Sequence, residues 1–211
     1  GRPHRPGGTT MQEEILEGLR YALRVPEIRL ILAVLLVVSL CVFNFSIYVP
    51  LLARTVLGEG AEGFGYLMAA VGVGAVAGAL TLGVAVRQTP SPALLFTTAS
   101  VACAALLSIS LVRDFWLAAL ALFVTGFAGI MTLAGCNTAL QIAAPDHLRG
   151  RVMSLHVLVF GGSFPIGALL VGAISERWGV GTAFFVNGAA GLLALTGLLA
   201  AWRMRPRRPA A

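Results

Sequence analysis

Six uninterrupted apolar runs dominate this sequence. Each run is 22 to 30 residues long, whereas a helix that crosses the hydrocarbon core of a bilayer needs about 20 predominantly apolar residues. The runs are Leu30–Ala53, Gly63–Val86, Ser91–Val112, Phe115–Ala144, Val152–Ser175 and Gly181–Trp202. Strands of a transmembrane barrel would instead alternate in polarity over about ten residues. The sequence therefore predicts an all-α fold, a polytopic membrane bundle of six transmembrane helices.

The composition excludes the common soluble classes. Of the 211 residues, 58% are apolar and 11% are charged, whereas soluble domains carry about a quarter charged residues. An ordinary cytosolic enzyme, a disordered tail and a disulfide-stapled secreted module are therefore ruled out. Cys41, Cys103 and Cys136 lie singly in apolar runs without the spacing of metal ligands. We therefore expect no disulfide framework, no metal site and no cofactor.

The basic residues predict the orientation in the membrane. All 15 are arginines, and they are divided among the breaks between apolar runs. Six spans would place both termini on one side, together with twelve of these arginines, leaving only Arg54, Arg113 and Arg177 opposite. The twelve are Arg2, Arg5, Arg20, Arg24, Arg29, Arg87, Arg149, Arg151, Arg203, Arg205, Arg207 and Arg208. Because arginine accumulates in cytoplasmic loops, both termini are predicted to be cytoplasmic. Membrane lipid is the expected partner, and nucleic acid is not.

The segments outside the spans have their own composition. Residues 1–10 predict a flexible basic linker, and residues 203–211 a basic cytoplasmic tail. Residues 11–26 predict an amphipathic helix on the cytoplasmic side, with capping-box spacing between Thr10 and Glu13 and a stop at Pro26. A solvated spacer helix is the open alternative. Because the chain starts at Gly1 without a signal peptide, we expect it to be cut from a longer protein.

Few polar side chains occur inside the runs, and none of them is an aspartate or glutamate. Helical spacing places Cys41, Asn44 and Tyr48 on one face of the first span. The candidates for lining a substrate cavity are Asn44, Tyr48, Thr125, Thr132, Asn137, Gln141 and Ser163. Asn187 stands alone in the sixth span and is expected to lie outside the cavity. Plain hydrogen bonding between helices is the alternative for the whole set.

Further residues are candidates for coupling and packing. His156 is a possible proton relay, because imidazole changes charge in the physiological range; a structural histidine is the alternative. Small residues allow close helix approach and proline kinks a helix, so the predicted packing and kink positions are Gly74, Gly78, Pro165 and Gly167. His156 and Ser163 share one predicted helix and cannot form a catalytic dyad between two helices. No phosphate-binding loop or zinc-protease motif occurs, so no enzyme activity is expected.

Three segments resemble a known family. PDHLRGRVMSL (Pro145–Leu155) and GGSFPIGALLVGAISERWG (Gly161–Gly179) resemble the loop after the tenth helix and the eleventh helix of the major facilitator superfamily. GLRYALRVPEIRLIL (Gly18–Leu32) is similar to the entry into the seventh helix of its bacterial drug-efflux and siderophore-exporter branch, the transmembrane secretion effectors. The resemblance extends from about Glu13 to Trp202.

The resemblance implies that residues 27–202 are the C-terminal six-helix half of a twelve-helix transporter. An N-terminal six-helix half would be its partner, and the two halves would rock to give alternating access. The family's activity would be export of an amphipathic small molecule by proton antiport. Its cytoplasmic gate would correspond to Arg87, Asp146, Arg149 and Arg151, although the acidic residue of the family's loop motif is absent near Arg87. A six-span membrane scaffold or assembly subunit without transport activity is the alternative.

Overall fold

A computed structural model of the protein describes residues 19–85 and 89–205, and this part of the chain folds into helices without strands. The helices are α1 (Pro26–Cys41), α2 (Phe45–Leu51), α3 (Ala61–Ala85), α4 (Pro92–Ile109), α5 (Phe115–Ala143), α6 (Arg149–Trp178) and α7 (Val180–Arg203), with a π-helical turn at Leu52–Val56 after α2. Six stretches in the described residues are long and apolar enough to cross a membrane, the first being Pro26–Val56. The predicted all-α, six-span architecture is confirmed.

Local signals in the sequence explain where several helices begin. The side chains of Ser91 and Asp114 accept hydrogen bonds from the backbone N–H groups of Leu94 and Leu117, at 3.2 and 3.0 Å. Each side chain satisfies an amide in the first turn that has no partner within the helix. Gly179 separates α6 from α7 with a φ of 84°, a conformation that glycine adopts without steric cost. The connection at this point therefore needs only one residue.

Helices α3 and α5 approach each other through glycines. A Cβ atom added at Gly74 would lie 2.1 Å from the carbonyl oxygen of Phe123, and one at Gly78 would lie 2.3 Å from that of Phe127. In return, a Cβ atom at Gly126 would lie 2.3 Å from the carbonyl oxygen of Val71. The two backbones are therefore in direct contact, which only glycine permits at these positions.

The first span is not the continuous helix that its apolar run suggests. It is interrupted at residues 42–44, where the Asn44 N–H donates to the Val42 carbonyl at 2.9 Å instead of continuing the helical pattern. The Asn44 side chain donates from Nδ2 to the Leu40 carbonyl at 2.9 Å, and so replaces a missing backbone donor. Pro50 lies within α2 and has no N–H to give. The helical hydrogen-bond pattern of the first span is therefore broken between α1 and α2.

Part of the predicted organisation lies outside the described residues. These include the linker at 1–10, residues 11–18 of the amphipathic helix, Arg87 and residues 206–211 of the tail. Residues 19–24 are helical, and Ala22 packs into the core that contains Ile28 and Leu30. Arg29 at the start of α1 and Arg205 just beyond α7 line one pocket, so these two points lie at the same end of the bundle. We call it the arginine-rich end.

Candidate functional site

An open groove of about 430 Å³ runs between α5 and α6, and we call it the α5–α6 groove. Small-molecule sites in proteins have volumes of about 300–1,000 Å³ and are mostly apolar with a few polar groups. The groove has this character: its lining residues are Ile130, Leu133, Ala134, Asn137, Thr138, His156 and Phe160. It therefore brings together two of the residues singled out from the sequence, Asn137 from α5 and His156 from α6.

The polar side chains of the groove differ in whether they have hydrogen-bond partners. The His156 side chain is only 7% exposed, and its Nε2 atom is buried without a hydrogen-bond partner among the described residues. The Asn137 side chain is half-buried, and its Oδ1 atom accepts a hydrogen bond from Nε2 of Gln141 on the next turn. Because a buried polar atom without a partner is costly, His156 offers an unused hydrogen-bonding position beside the groove.

Two of the four predicted gate residues meet at the arginine-rich end. Arg149 forms an ion pair with Asp146, with 2.7 Å between Nη2 and Oδ1. Its Nε atom also donates to the Gln141 carbonyl at 3.0 Å, which ties the loop to the end of α5. Arg151 is half-buried in the first turn of α6, and Arg87 lies outside the described residues. The Asp146–Arg149 pair is exposed, so its own contribution to stability is small.

The polar residues of the first span lie away from the groove. Asn44 is fully buried beneath α6, where a Cβ atom at Gly167 would lie 2.5 Å from Asn44 Nδ2. Tyr48 is also fully buried, and its ring stacks on Phe184 of α7 with 4.6 Å between ring centroids. The Asn44 Oδ1 and Tyr48 hydroxyl oxygens have no partner in the described part of the chain. Both side chains are thus inside the bundle in this conformation.

The hydroxyl groups of the fourth and fifth spans are used within the bundle. Thr125 donates to the Ala121 carbonyl at 2.7 Å, and Ser163 donates to the Val159 carbonyl. A hydrogen bond of 2.8 Å joins Thr132 Oγ1 to Thr98 Oγ1 and so links α5 to α4. The Thr125 and Ser163 hydroxyls thus bond within their own helices, whereas the Thr132 hydroxyl makes a bond between helices. Pro165 lies on an exposed face of α6, whose helix continues past it.

Sequence reasoning named two of the seven residues that line the groove and missed the other five, which are Ile130, Leu133, Ala134, Thr138 and Phe160. Phe160 lies one turn beyond His156, so helical spacing could have added it. Thr138 follows Asn137 directly, and adjacent residues of a helix do not share a face. It also missed a larger cavity of about 700 Å³ at the opposite end, around Arg113 and Trp178, which no predicted site residue lines. No cluster of three or more metal-ligating side chains occurs within the described residues.

Comparison with known proteins identifies the family. Residues 3–210 match the family model described as transmembrane secretion effector, of the major facilitator superfamily. Comparison with curated proteins and with solved structures finds no match. The family match covers nearly the whole chain, and it agrees with the six apolar helices and with the resemblance seen in the sequence. The chain is therefore an integral membrane protein that belongs to the transmembrane secretion effector family of major facilitator transporters.

Proposed function

We propose that this chain forms one wall of the cargo pathway in a secondary active exporter of amphipathic small molecules of the drug or siderophore type. The α5–α6 groove supports this proposal most directly, because there a mostly apolar surface meets Asn137, Thr138 and His156. An apolar wall with a few hydrogen-bonding groups suits cargo that is itself bulky and partly polar. The unsatisfied Nε2 atom of His156 would bind a polar group of the cargo.

The exposed apolar face of α6 supports the proposal that a second half of the transporter packs against this chain. Val157, Leu158, Phe164 and Leu169 are between 43% and 75% exposed along this helix. We propose that an N-terminal six-helix half covers this face, closes the groove and rocks against the present half to give alternating access. The arginine-rich end would face the cytoplasm of a bacterial cell, with both termini on that side.

His156 is also the proposed proton relay. In the described part of the spans, acidic residues occur only near helix ends, such as Glu62 in the first turn of α3 and Glu176 in the last turn of α6. A buried imidazole beside the cargo would then couple proton movement to export. This role predicts that His156→Gln, which keeps a hydrogen-bonding group, changes the pH dependence of export more than the amount of cargo bound.

Cysteine labelling tests whether the groove is open to water. Asn137→Cys would be introduced into the full protein with its native cysteines replaced by alanine, and exposed to a membrane-impermeant maleimide in vesicles of both orientations. We expect labelling at 137 and protection in the matched variant Asn187→Cys, because Asn187 is buried and bonded to the Ala183 carbonyl at 3.0 Å. Full protection at 137 would instead favour the six-span scaffold interpretation.

Export measurements test the role of the groove in cargo binding. Efflux of two fluorescent amphiphiles, ethidium and Nile red, would be followed in cells that express the full protein. Asn137→Ala and His156→Phe should each lower efflux about fivefold, which corresponds to the loss of one hydrogen bond of about 1 kcal/mol. Asn44→Ala should also lower efflux, because it removes the side-chain hydrogen bond at the break in the first span. Asn187→Ala serves as the control at matched protein amounts. Wild-type efflux in both Asn137→Ala and His156→Phe would refute the assignment of the groove to cargo binding.

A further inference from the structure

A separate pocket of about 290 Å³ opens at the arginine-rich end, between the start of α1 and the end of α7. We call it the α1–α7 pocket. No helix that lines the α5–α6 groove contributes a residue to it. Two arginines and one tryptophan stand above a wall of aliphatic side chains, and these residues are Arg29, Arg205, Trp202, Leu30, Ala33 and Leu198.

One guanidinium nitrogen of Arg205 lacks an acceptor in this pocket. Its guanidinium carbon lies 5.1 Å from the centroid of the Trp202 ring, which holds the side chain across the pocket. The Nη1 atom of this guanidinium is buried and has no hydrogen-bond partner among the described residues. A buried charged donor without an acceptor is unfavourable, so an anion bound beside Trp202 would compensate it.

The charges at this end also favour an anion. Seven described arginines lie there against two acidic residues, Glu27 and Asp146; the arginines are Arg20, Arg24, Arg29, Arg149, Arg151, Arg203 and Arg205. Asp146 is already paired with Arg149. Within the described part of the chain, Arg29 and Arg205 have no carboxylate partner.

We propose that the α1–α7 pocket binds the headgroup of an anionic phospholipid. The phosphodiester would lie between Arg29 and Arg205, since guanidinium groups bind phosphate oxygens with two parallel hydrogen bonds. Trp202 would stand at the level of the headgroups, where tryptophan is enriched in membrane proteins. Below it, Leu30 and Leu198 would contact the first part of an acyl chain. The aliphatic wall and the position at the end of two spans favour a lipid over a free anion.

Fluorescence of Trp202 reports directly on this pocket. The other tryptophans, Trp116 and Trp178, lie at the opposite end of the bundle, so replacing them by phenylalanine leaves a single reporter in this chain. The full protein, with any further tryptophans also replaced, would be placed in phosphatidylcholine vesicles that contain a small fraction of brominated phosphatidylglycerol or brominated phosphatidylcholine. We expect half-maximal quenching by phosphatidylglycerol at a mole fraction at least about tenfold lower than by phosphatidylcholine, given two arginines at the site.

Paired variants separate a specific pocket from general surface charge. Arg29→Gln with Arg205→Gln should reduce the preference for phosphatidylglycerol to less than about twofold. Arg20→Gln with Arg24→Gln removes the same charge at the same end outside the pocket, and it should keep most of the preference. Equal quenching by both lipids in the otherwise wild-type protein would overturn the proposal, as would an equal loss in both double variants. Displacement of the brominated lipid by millimolar inorganic phosphate would show a site for a free anion instead.

Discussion

The contact between α3 and α5 gives the sharpest test of the packing, through the substitution Gly74→Ala. The added Cβ atom would lie 2.1 Å from the carbonyl oxygen of Phe123, 2.9 Å from its carbonyl carbon and 3.1 Å from its Cα atom. All three are backbone atoms of a helix, so no rotation of a side chain can relieve the overlap. The two helices would have to separate by roughly 1 Å or more to restore ordinary van der Waals distances.

The cost follows from that separation. Overpacking a tightly packed site lowers stability by about 1–3 kcal/mol. The same movement would pull apart the neighbouring backbone contacts of Gly78 and Gly126, so we expect a loss of about 2–3 kcal/mol, in the upper part of this range. Adding Gly126→Ala to Gly74→Ala should cost less than the sum of the single changes, because both force the same separation.

Gly72→Ala is the matched control on the same helix. A Cβ atom at Gly72 would meet no atom within 4 Å, so the identical chemical change adds no overlap there. We expect its unfolding free energy to stay unchanged or to rise by up to about 1 kcal/mol, because alanine is more favourable than glycine inside a helix. The free energies would be measured by reversible denaturant titration of the full protein in mixed micelles, followed by intrinsic fluorescence. Equal stability of Gly74→Ala and Gly72→Ala would show that the two backbones are not in contact.

Two further substitutions test buried hydroxyl groups in the same titration. Tyr48→Phe removes a buried hydroxyl that has no partner in the described chain, and it keeps the ring stacked on Phe184. The unfolding free energy should therefore stay unchanged or rise by up to about 1 kcal/mol. A decrease of more than about 1 kcal/mol would mean that the hydroxyl is hydrogen-bonded. Thr132→Val breaks the hydrogen bond to Thr98 and should lower the unfolding free energy by about 0.6 kcal/mol. Replacing Thr98 by valine as well should cost little more, because the bond between the two hydroxyls is already lost in the single variant. Additive losses would contradict a bond shared by the two residues.

The membrane-spanning architecture could be predicted from the sequence because a bilayer strongly constrains the backbone conformation of any segment that crosses it. Backbone groups in hydrocarbon must be satisfied within their own segment, so a run such as Phe115–Ala144 has to form a helix. The structure places this helix at Phe115–Ala143. Helix starts were equally local: Ser91 and Asp114 cap the turns that follow them. The family resemblance was likewise carried by short segments such as Pro145–Leu155.

The candidate site was only partly predictable. Asn137 and His156 stood out as rare polar residues in apolar runs, but nothing in their spacing indicated that they would line one groove while Asn44 and Tyr48 became buried. That outcome depends on how the helices pack. The Thr132–Thr98 bond shows the same limit, since a threonine inside a span can face either a cavity or a neighbouring helix.

The sequence by itself determined the number of spans and their position to within a few residues, because these follow from hydropathy and local hydrogen bonding over consecutive residues. The tertiary structure decided which of several residues of the same type make contacts between helices. Gly72 and Gly74 are two positions apart and chemically identical, yet only Gly74 lies against the backbone of another helix. Arg29 and Arg205 come from opposite ends of the described chain and meet at one pocket. Such contacts depend on the relative positions and rotations of whole helices, which no local pattern encodes.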